Sequence, residues 1–533
     1  MDEFGALEDI KIHEPSKEHA HKLLCSGKPR QYFVDDVLHR ESKARKTTWD
    51  ELFLDLVFVA AINRVGTILK TNDVDGALVN QFAITFIPPN PPDLPPSRPP
   101  QIWKAWQTIQ AYTNRFGSSD FLSKLMLWLH TLLIAALGIT SENVYTSPDS
   151  ENTSRLFAGT VVAIGVLDIV AHARVLVFYP EFTGSMIMFM VGHMFERAPF
   201  AISMAVDEKW HTMLWWLAIG LDYFGRVVLL LFYRYVYHPK IAVNIEHAAE
   251  RLGLLTLIML GEVVVSILWD STDEQISKGY IATMLGLIIA ISFQWLYYNV
   301  DGSFFYTHAL RRSVLHGIIW SQLHLPLHIC VIAGGAALYV LIQLTADPTA
   351  SPSALIRWLF LGGFGIAMFI LALIGLTHRG FEGSLTPTPV PGTSAATLSD
   401  DQHPEADEAT SGRPALLKKR VRLATRAGVA SILCIMAGTV TEASPLTIVG
   451  VTAALCMGQT LLEEWGRLLK AKRASVRRGR RPRPPNACRL APPATITTPA
   501  ALWDVYYVRR GRSASRRRKA AGAGMTDKHG LPK

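Results

Sequence analysis

Long apolar runs, separated by short polar connections, dominate the chain from residue 48 to residue 467. Most of these runs are close to the roughly 20 apolar residues that an α-helix needs to cross the hydrocarbon core of a bilayer. We predict twelve spans, at 48–69, a broken segment at 77–87 and 101–116, then 120–140, 155–179, 184–206, 211–237, 250–270, 279–299, 316–344, 354–377, 423–442 and 445–467. The pattern therefore predicts an all-α fold, a polytopic transmembrane helix bundle.

The first predicted span combines a strong helix start with polar groups inside an apolar run. Thr48 and Glu51 have the spacing of a capping box, in which each side chain bonds the backbone amide of the other residue. Asp55 lies one turn further in, and Asn63 and Arg64 lie deeper. An ionisable group at such depth is costly unless it faces protein or water. We therefore predict a helix that is packed within the bundle and has a polar face.

A proline-rich segment, Pro88–Pro100, interrupts the second predicted span. Such a segment cannot form helix, and irregular backbone that faces lipid is not viable. Without its 13 residues, the flanking apolar sequences join into one span of suitable length. We interpret the segment as a peripheral loop or as the product of a mispredicted splice.

Two short motifs indicate that the bundle consists of two similar halves. Tyr112–Ser118 and Tyr297–Ser303 both read Y-x-N-x-x-G-S, and each lies at the end of a predicted span, the second and the eighth. Glu51 precedes the first motif by 48 residues when the proline-rich segment is left out, and Glu250 precedes the second by 47. We predict two six-helix halves of the same orientation, the parallel repeat found in some transporters.

The distribution of charge predicts the orientation. Lys and Arg are concentrated in alternate connections, and such basic connections mark the cytoplasmic side. Both termini are therefore predicted to be cytoplasmic, in the plasma membrane or an internal membrane. The single Asn-x-Ser/Thr sequon, at Asn152, falls in a connection predicted to face outward, where glycosylation is feasible.

Three segments lie outside the predicted spans. They are a polar arm at 1–46, a loop at 378–422 and a basic tail at 470–533. The loop is rich in Pro, Ser, Thr and acidic residues, so we predict that it is disordered. The tail is also predicted to be disordered. We expect it to contact anionic lipid rather than nucleic acid, because it is basic and follows the last span directly.

Composition agrees with a membrane protein. Hydrophobic residues make up 49% of the 533 residues, charged residues only 18%, and the mean hydropathy is +0.21, whereas a soluble chain has about 25% charged residues. The net charge of +9 comes mainly from the segments outside the spans. The five cysteines have no paired spacing, and no cleavable signal peptide opens the chain. Because no catalytic or cofactor-binding motif is present, we predict neither enzymatic activity nor a cofactor.

Three motifs resemble a known family. Trp49–Val59 reads WDELFLDLVFV, Tyr112–Phe116 reads YTNRF, and Glu250–Gly253 reads ERLG ahead of a later LGE at 260–262. Together they are similar to motifs of the low-temperature-requirement A (LtrA) family of multi-pass membrane proteins. The resemblance covers roughly residues 46–469, and we expect a eukaryotic member of the fungal type. It implies a membrane fold but supplies no substrate and no catalytic residue.

The ionisable and amide groups inside the spans are the candidates for function. Several ionisable residues recur at i, i+4, which places them on one helix face: Asp168 with His172, His193 with Arg197, Asp222 with Arg226, and His324 with His328. Buried Asp, Glu and His residues can carry protons along a path through a bundle. The candidate proton or ligand groups are Asp55, Asp168, His172, Glu196, Glu262, Asn114 and Asn299, and the candidate counter-charges are Arg197 and Arg226.

His324 and His328 also have a spacing that can place two imidazoles on one metal ion. Pro326 lies between them, however, and no further ligand follows at metalloprotease spacing. We therefore expect interior, hydrogen-bonding histidines and no metal site.

Two functions fit these features. The first is secondary transport of a small polar or ionic solute, with proton coupling carried by the buried carboxylates and histidines. The second is a scaffold or membrane-adaptation protein that transports nothing and uses its polar residues to fix helix register. An intramembrane enzyme is disfavoured, because no catalytic constellation is recognisable. The expected partners are the lipid bilayer and, for the first function, an unknown small solute.

Overall fold

The computed structural model describes residues 29–34, 37–40, 45–66, 69–70, 101–116, 120–143, 150–235, 240–268, 276–300, 306–347, 349–380 and 417–467. Long helices make up most of these ranges: α1 (Trp49–Gly66), α2 (Gln101–Phe116), α3 (Phe121–Asn143), α4 (Ser150–Phe178), α5 (Thr183–Ser203), α6 (His211–Tyr235), α7 (Ile245–Leu268), α8 (Lys278–Val300), α9 (Val314–Leu344), α10 (Ala354–Thr377), α11 (Lys419–Thr439) and α12 (Pro445–Arg467). The predicted all-α membrane fold is confirmed.

Eight helices in the described part of the chain are long and apolar enough to cross a membrane, namely α3, α4 and α7 to α12. The helices α1, α2, α5 and α6 coincide with predicted spans but are shorter or more polar over their described residues. The Pro88–Pro100 segment and the first part of the broken span lie outside the described residues. The count of twelve spans therefore stays a prediction.

The starts of several helices follow from local side-chain chemistry. At α1, the Thr48 amide donates to Glu51 Oε2 (2.9 Å), and the Glu51 amide donates to Thr48 Oγ1 (3.3 Å), which confirms the predicted capping box. Ser313 and Ser353 cap α9 and α10 in a similar way. Pro326 lies inside α9 without ending the helix. A proline is tolerated there because neighbouring groups in a bundle can satisfy the freed carbonyl.

The start of α11 corrects the sequence interpretation. We predicted a span from residue 423 and a disordered loop up to residue 422, whereas the helix begins at Lys419. The physical reason is that part of this stretch contacts other elements: Lys419 Nζ donates to the His378 carbonyl (2.8 Å), and Arg422 is buried beside Gly466 of α12. Arg426 is fully buried and makes a two-pronged ion pair with Glu463, at 2.7 and 2.6 Å.

The helices of the two predicted halves pack in the same order. In the first half, α1 contacts α2 and α3, α2 contacts α4, and α3 to α6 pack in sequence. In the predicted second half, α7 to α12 make the corresponding contacts, and α12 also packs on α8 and α9; α1 packs on α7 across the two predicted halves. An internal repeat would produce this correspondence, and the repeat itself stays a prediction.

Short strands join several helix ends. The strands β1 (Gln31–Val34), β2 (Val37–Arg40) and β3 (Lys240–Ile241) form an antiparallel sheet in the order β2-β1-β3. A second pair, β4 (Tyr306–Thr307) and β5 (Arg379–Gly380), links the end of α8 to the end of α10. The sequence interpretation treated residues 1–46 only as a polar arm and did not predict the β1–β2 hairpin.

Hydrogen bonds gather the segments predicted to be cytoplasmic at one end of the bundle. The Arg30 amide donates to the Arg115 carbonyl (3.1 Å), the Ala309 amide to His378 Nδ1 (3.1 Å), and the Leu417 amide to the Gly466 carbonyl (2.9 Å). This arrangement agrees with the alternation expected of membrane spans. The assignment of this end to the cytoplasm stays a prediction.

Small residues allow α1 and α3 to approach closely. A Cβ atom added at Gly138 would lie 2.6 Å from the Ala61 Cβ and 2.9 Å from the Ala61 Cα. Close approach at small residues is a main source of helix association in membranes, where lipid tails are as apolar as the side chains. This contact joins the first helix to the rest of its half.

We expect Gly138→Ala to lower the free energy of unfolding by about 1–3 kcal/mol, because the added methyl group would overlap the backbone of α1. Thermal unfolding of the purified protein in detergent measures the change. Gly428→Ala in α11 is the matched control, since no described heavy atom lies within 4 Å of its added Cβ. Equal stability of the two variants would contradict the proposed close contact.

Candidate functional site

Buried charged groups join α1, α2 and α7. The Asp55 side chain on α1 has no solvent exposure. Its Oδ1 accepts a 2.7 Å hydrogen bond from Trp106 Nε1 on α2 and another from Arg251 Nη2 on α7. Arg251 Nη1 also lies 3.4 Å from Glu51 Oε1. Asp55, a candidate proton or ligand group, is therefore held by partners on two other helices.

We call Asp55, Trp106, Arg251 and Glu51 the Asp55 network. Glu51 forms its outer part. Its Oε1 lies 2.6 Å from Arg45 Nη2, and its Oε2 lies 3.3 Å from His247 Nε2. Arg45 also donates to the Thr113 carbonyl at the end of α2. Asn114 then closes the network: its Nδ2 donates to the Asn244 carbonyl (2.9 Å), and its Oδ1 accepts from the Asn244 amide (2.9 Å). These contacts indicate that Asn114 ties α2 to the start of α7.

Glu262 lies further along the interface between α1 and α7. Its Oε1 accepts a hydrogen bond from Asn63 Nδ2 on α1, and nearby Lys70 donates to Ser266 Oγ on α7 (3.1 Å). Asp55 and Glu262 therefore lie on one interface, which is the contact between the first helices of the two halves.

A second cluster joins α3, α4 and α5. His130 Nε2 lies 2.9 Å from Asp168 Oδ1, while His130 Nδ1 donates to the Met126 carbonyl (2.8 Å). Because Nδ1 carries a hydrogen, the bond between Nε2 and the carboxyl group requires a second proton that the two groups share. His172 donates from Nδ1 to the Asp168 carbonyl (2.8 Å), and its ring lies 5.3 Å from that of His193 on α5.

A third cluster surrounds a polar pocket, which we call the Lys104 pocket. Lys104 Nζ on α2 lies 3.2 Å from Glu196 Oε2 on α5 and also contacts Asp222 Oδ1 on α6. The pocket has a cavity volume of about 30 Å³, and it is lined by Gln101, Trp103, Lys104, Gln107, Glu196, Ala218, Ile219, Asp222, Gln322 and Leu325. It lies between α2, α5 and α6 of the first half and α9 of the second.

Arg197 supports the wall of the Lys104 pocket. Its Nη1 lies 3.2 Å from Glu196 Oε1 and donates to Gln101 Oε1 (2.9 Å). The Glu196 Oε1 atom is buried and has no hydrogen-bond partner of good geometry among the described residues. Gly165 on α4 provides the space, since a Cβ there would lie 2.4 Å from Arg197 Cγ. Glu196 therefore lies between two cationic groups, Lys104 and Arg197.

Aromatic rings connect the Lys104 pocket to the Asp55 network. Trp103 lines the pocket and stacks on Trp106 at 5.2 Å between ring centroids, and Trp106 donates to Asp55. Trp103 also lies 5.7 Å from the ring of His328 on α9. Both predicted halves therefore contribute to the surroundings of the pocket.

The two histidines with metal-site spacing bond other groups. His324 donates from Nδ1 to the Trp320 carbonyl (2.8 Å), and its Nε2 lies 3.0 Å from the Tyr297 hydroxyl. His328 Nε2 lies 2.9 Å from Thr256 Oγ1. Over the described ranges, no group of three or more His, Cys, Asp or Glu residues could hold a metal ion.

The structure separates the predicted candidates into groups. Glu196 lines the Lys104 pocket and Arg197 supports it, whereas Asp168 and His172 lie in the α3–α4–α5 cluster. Three candidates lie at the contacts of α7 with α1 and α2: Asp55, Glu262 and Asn114. The side chains of Arg226 and Asn299 lie outside what the structure describes, as does that of Asn152, whose backbone is in the first turn of α4. The use of Asn152 for glycosylation stays a prediction.

The sequence interpretation missed several partners. We paired Asp222 with Arg226 on the same helix, which stays a prediction because the Arg226 side chain is not described, and we did not predict the contact of Asp222 with Lys104 on α2. Lys104 could have been identified as a candidate, since it is the sole charged residue in the Trp-rich stretch QIWKAWQ. Arg251 belongs to the ERLG motif, and no spacing rule connects it to Asp55.

We expect Asp55→Asn to lower the free energy of unfolding by about 3–5 kcal/mol, because it leaves the Arg251 guanidinium buried beside a neutral group. The double variant Asp55→Asn, Arg251→Gln should cost less than the sum of the single variants. Chemical or thermal unfolding in detergent measures all three. Glu246→Gln on α7 is the control, since its ion pair with Arg311 is half-exposed and should contribute less than about 1 kcal/mol. If the two single-variant changes in the free energy of unfolding add up to that of the double variant, the coupling of Asp55 to Arg251 is contradicted.

Comparison with known proteins gives one match. The family model described as bacterial low temperature requirement A protein (LtrA) matches residues 46–458. This range covers more than half of the 533 residues and includes the Lys104 pocket, the Asp55 network and the α3–α4–α5 cluster. No curated protein and no solved structure matches the chain. The chain therefore belongs to the LtrA family of multi-pass membrane proteins.

Proposed function

We propose that the protein is a secondary transporter of a small polar or ionic solute, that its transport is coupled to protons, and that the Lys104 pocket binds the solute. The observation that carries the proposal is the position of this pocket. Glu196 and Asp222 lie near the middle of α5 and α6, and Gln322 extends the lining to α9 of the other half. Repeat-built transporters bind their substrates at this depth, between their repeats.

The chemistry of the Lys104 pocket supports a ligand site. Lys, Glu and Asp side chains at bilayer depth are costly and commonly line the paths of ions or substrates. Here two carboxylates and one ammonium group converge on a pocket that also contains three amide side chains, those of Gln101, Gln107 and Gln322. A set of this kind offers both donors and acceptors to a small polar solute.

The α3–α4–α5 cluster supports proton coupling. It contains the hydrogen bond between His130 and the Asp168 carboxyl group, then His172, which bonds the Asp168 backbone carbonyl and lies 5.3 Å from the ring of His193. His193 and Glu196 are three residues apart on α5, and residues at this spacing are neighbours on one helix face. Protonatable groups are thus arranged in series from α3 to the wall of the Lys104 pocket.

A second candidate function is the non-transporting scaffold or membrane-adaptation protein. The observation that favours it is that other buried carboxylates have fixed cationic partners. Asp120 pairs with Arg174 at 3.0 Å, as Asp55 does with Arg251 and Glu463 with Arg426. Pairs of this kind can specify helix register without any further role. Under this alternative, loss of function would always accompany loss of stability.

A solute-uptake and growth screen at low and normal temperature separates the two functions. Cells that lack the protein are complemented with wild type, Glu196→Gln, Asp222→Asn or Asp207→Asn, and each variant is checked for its membrane level and thermal stability. We expect the two pocket variants to fold but fail to restore uptake, because the charge that holds the solute is lost. Asp207 is the control, since it lies on an exposed loop, paired with Lys209. Full complementation by Glu196→Gln and Asp222→Asn would contradict the transport proposal.

We expect His193→Gln to retain solute binding but lose the dependence of uptake on a pH gradient, because glutamine cannot carry a proton. The measurement is uptake into proteoliposomes with and without an imposed gradient. His316→Gln is the matched control, since His316 bonds the capping Ser313 at the start of α9. If His193→Gln keeps the wild-type response to the pH gradient, the α3–α4–α5 cluster is not part of the proton path. The assignment of the solute site would not be affected.

A further inference from the structure

We infer that the solute of the Lys104 pocket is a monovalent cation, and that the Lys104 ammonium group occupies the site as a tethered cation that gives up its proton when the solute binds. The inference rests on the proposed function and names its substrate class. The carrying observation is the position of one ammonium group between two carboxylates on different helices.

The geometry shows the site in a cation-filled state. Lys104 Nζ lies 3.2 Å from Glu196 Oε2 and also contacts Asp222 Oδ1. The side chains are largely shielded from solvent, with exposures of 14% for Lys104, 6% for Glu196 and 14% for Asp222. The Lys104 ammonium group therefore lies where carboxylates from α5 and α6 meet, and the Arg197 guanidinium lies on the other side of Glu196, 3.2 Å from its Oε1. The Lys104 ammonium group shows that the space between these carboxylates accepts a monovalent cation.

Because the site is buried, it can hold either the Lys104 ammonium group or a solute cation, but not both. Arg197 keeps its charge beside Glu196, so removing the Lys104 charge while both carboxylates stay ionised would add one net negative charge to a low-dielectric site, which is strongly unfavourable. Adding a second cation beside the Lys104 ammonium would place like charges together, which is also unfavourable. The site is stable with either the protonated lysine or a bound cation. Binding one therefore favours release of the other.

The exchange balances in atoms and charge. A solute cation binds to the Glu196 and Asp222 carboxylates, the Nζ–H bond of Lys104 breaks, and one proton leaves as the amine becomes neutral. One positive charge enters and one leaves. Lysine is suited to this step because its pKa shifts readily on burial, whereas an arginine guanidinium stays protonated in proteins. The identity of residue 104 therefore decides whether exchange can occur.

The remaining lining fits a monovalent cation. Hard cations prefer oxygen ligands, and Gln107 and Gln322 add amide oxygens to the two carboxylates. Trp103 adds an aromatic ring, whose face attracts organic ammonium groups. An alkali ion and a small organic cation share the same chemistry at the carboxylates. The test therefore includes Na⁺, K⁺ and choline as separate probes.

The experiment uses the full chain in proteoliposomes that contain a trapped pH-sensitive dye. Sodium, potassium or choline chloride is added outside, and the internal pH is followed for wild type, Lys104→Arg, Lys104→Gln and empty vesicles. We expect at least one cation to raise the internal pH with wild type, because the cation enters as a proton leaves. Lys104→Arg should show no more than empty vesicles. Lys209→Arg is the matched control, since its ion pair with Asp207 is exposed, and it should behave as wild type.

Thermal unfolding of each variant with the same salts shows whether the variant is folded and whether it binds the cation. Lys104→Gln should still be stabilised by the active cation, because both carboxylates remain, but its cation transport should no longer move protons. Proton movement in Lys104→Arg equal to wild type would overturn the inference.

The remaining outcomes separate the inference from the proposed function. Uptake of a neutral or anionic solute under a pH gradient, without any cation-driven proton movement, would overturn the cation assignment and leave transport standing. A well-folded wild-type protein that moves neither cations nor any solute of the uptake screen would overturn both.

Discussion

The cost of burying charge among apolar helices is the constraint on which this structure depends. An isolated ion is expensive in such surroundings, and a partner on another helix reduces the cost. Arg251 meets Asp55 across α1 and α7, Arg174 meets Asp120 ahead of α3, and Arg426 meets Glu463 across α11 and α12. Each pair specifies which helices are neighbours, which general apolar packing alone does not do.

The Lys104 pocket differs from these pairs in its composition. The pairs use guanidinium groups as the cations, whereas the pocket brings an ammonium group to two carboxylates and adds amide side chains and open volume. Arginine keeps its charge at any physiological pH, but lysine can lose it. The fixed pairs therefore suit architecture, and the lysine site suits a change of state.

Much of the fold could be predicted from the sequence because the length and polarity of an apolar run determine whether it forms a span. The capping box at Thr48 and Glu51 was predictable for a similar reason, since it depends on residues three apart. Partners on different helices were not predictable. Sequence spacing relates residues of one helix, so Asp222 was paired with Arg226 and the contact with Lys104 was missed. The strands β1 and β2 have four residues each, too few for a recognisable alternation.

The hairpin of β1 and β2 has a mechanical consequence. It pairs with β3 just before α7, the adjoining Arg30 bonds the end of α2, and Arg45 bonds both Glu51 and the Thr113 carbonyl. The leading helices of the two predicted halves, α1 and α7, are thus held together at one end of the bundle. If one half rocks against the other, this fastening acts as the pivot, and the widest separation develops at the opposite end.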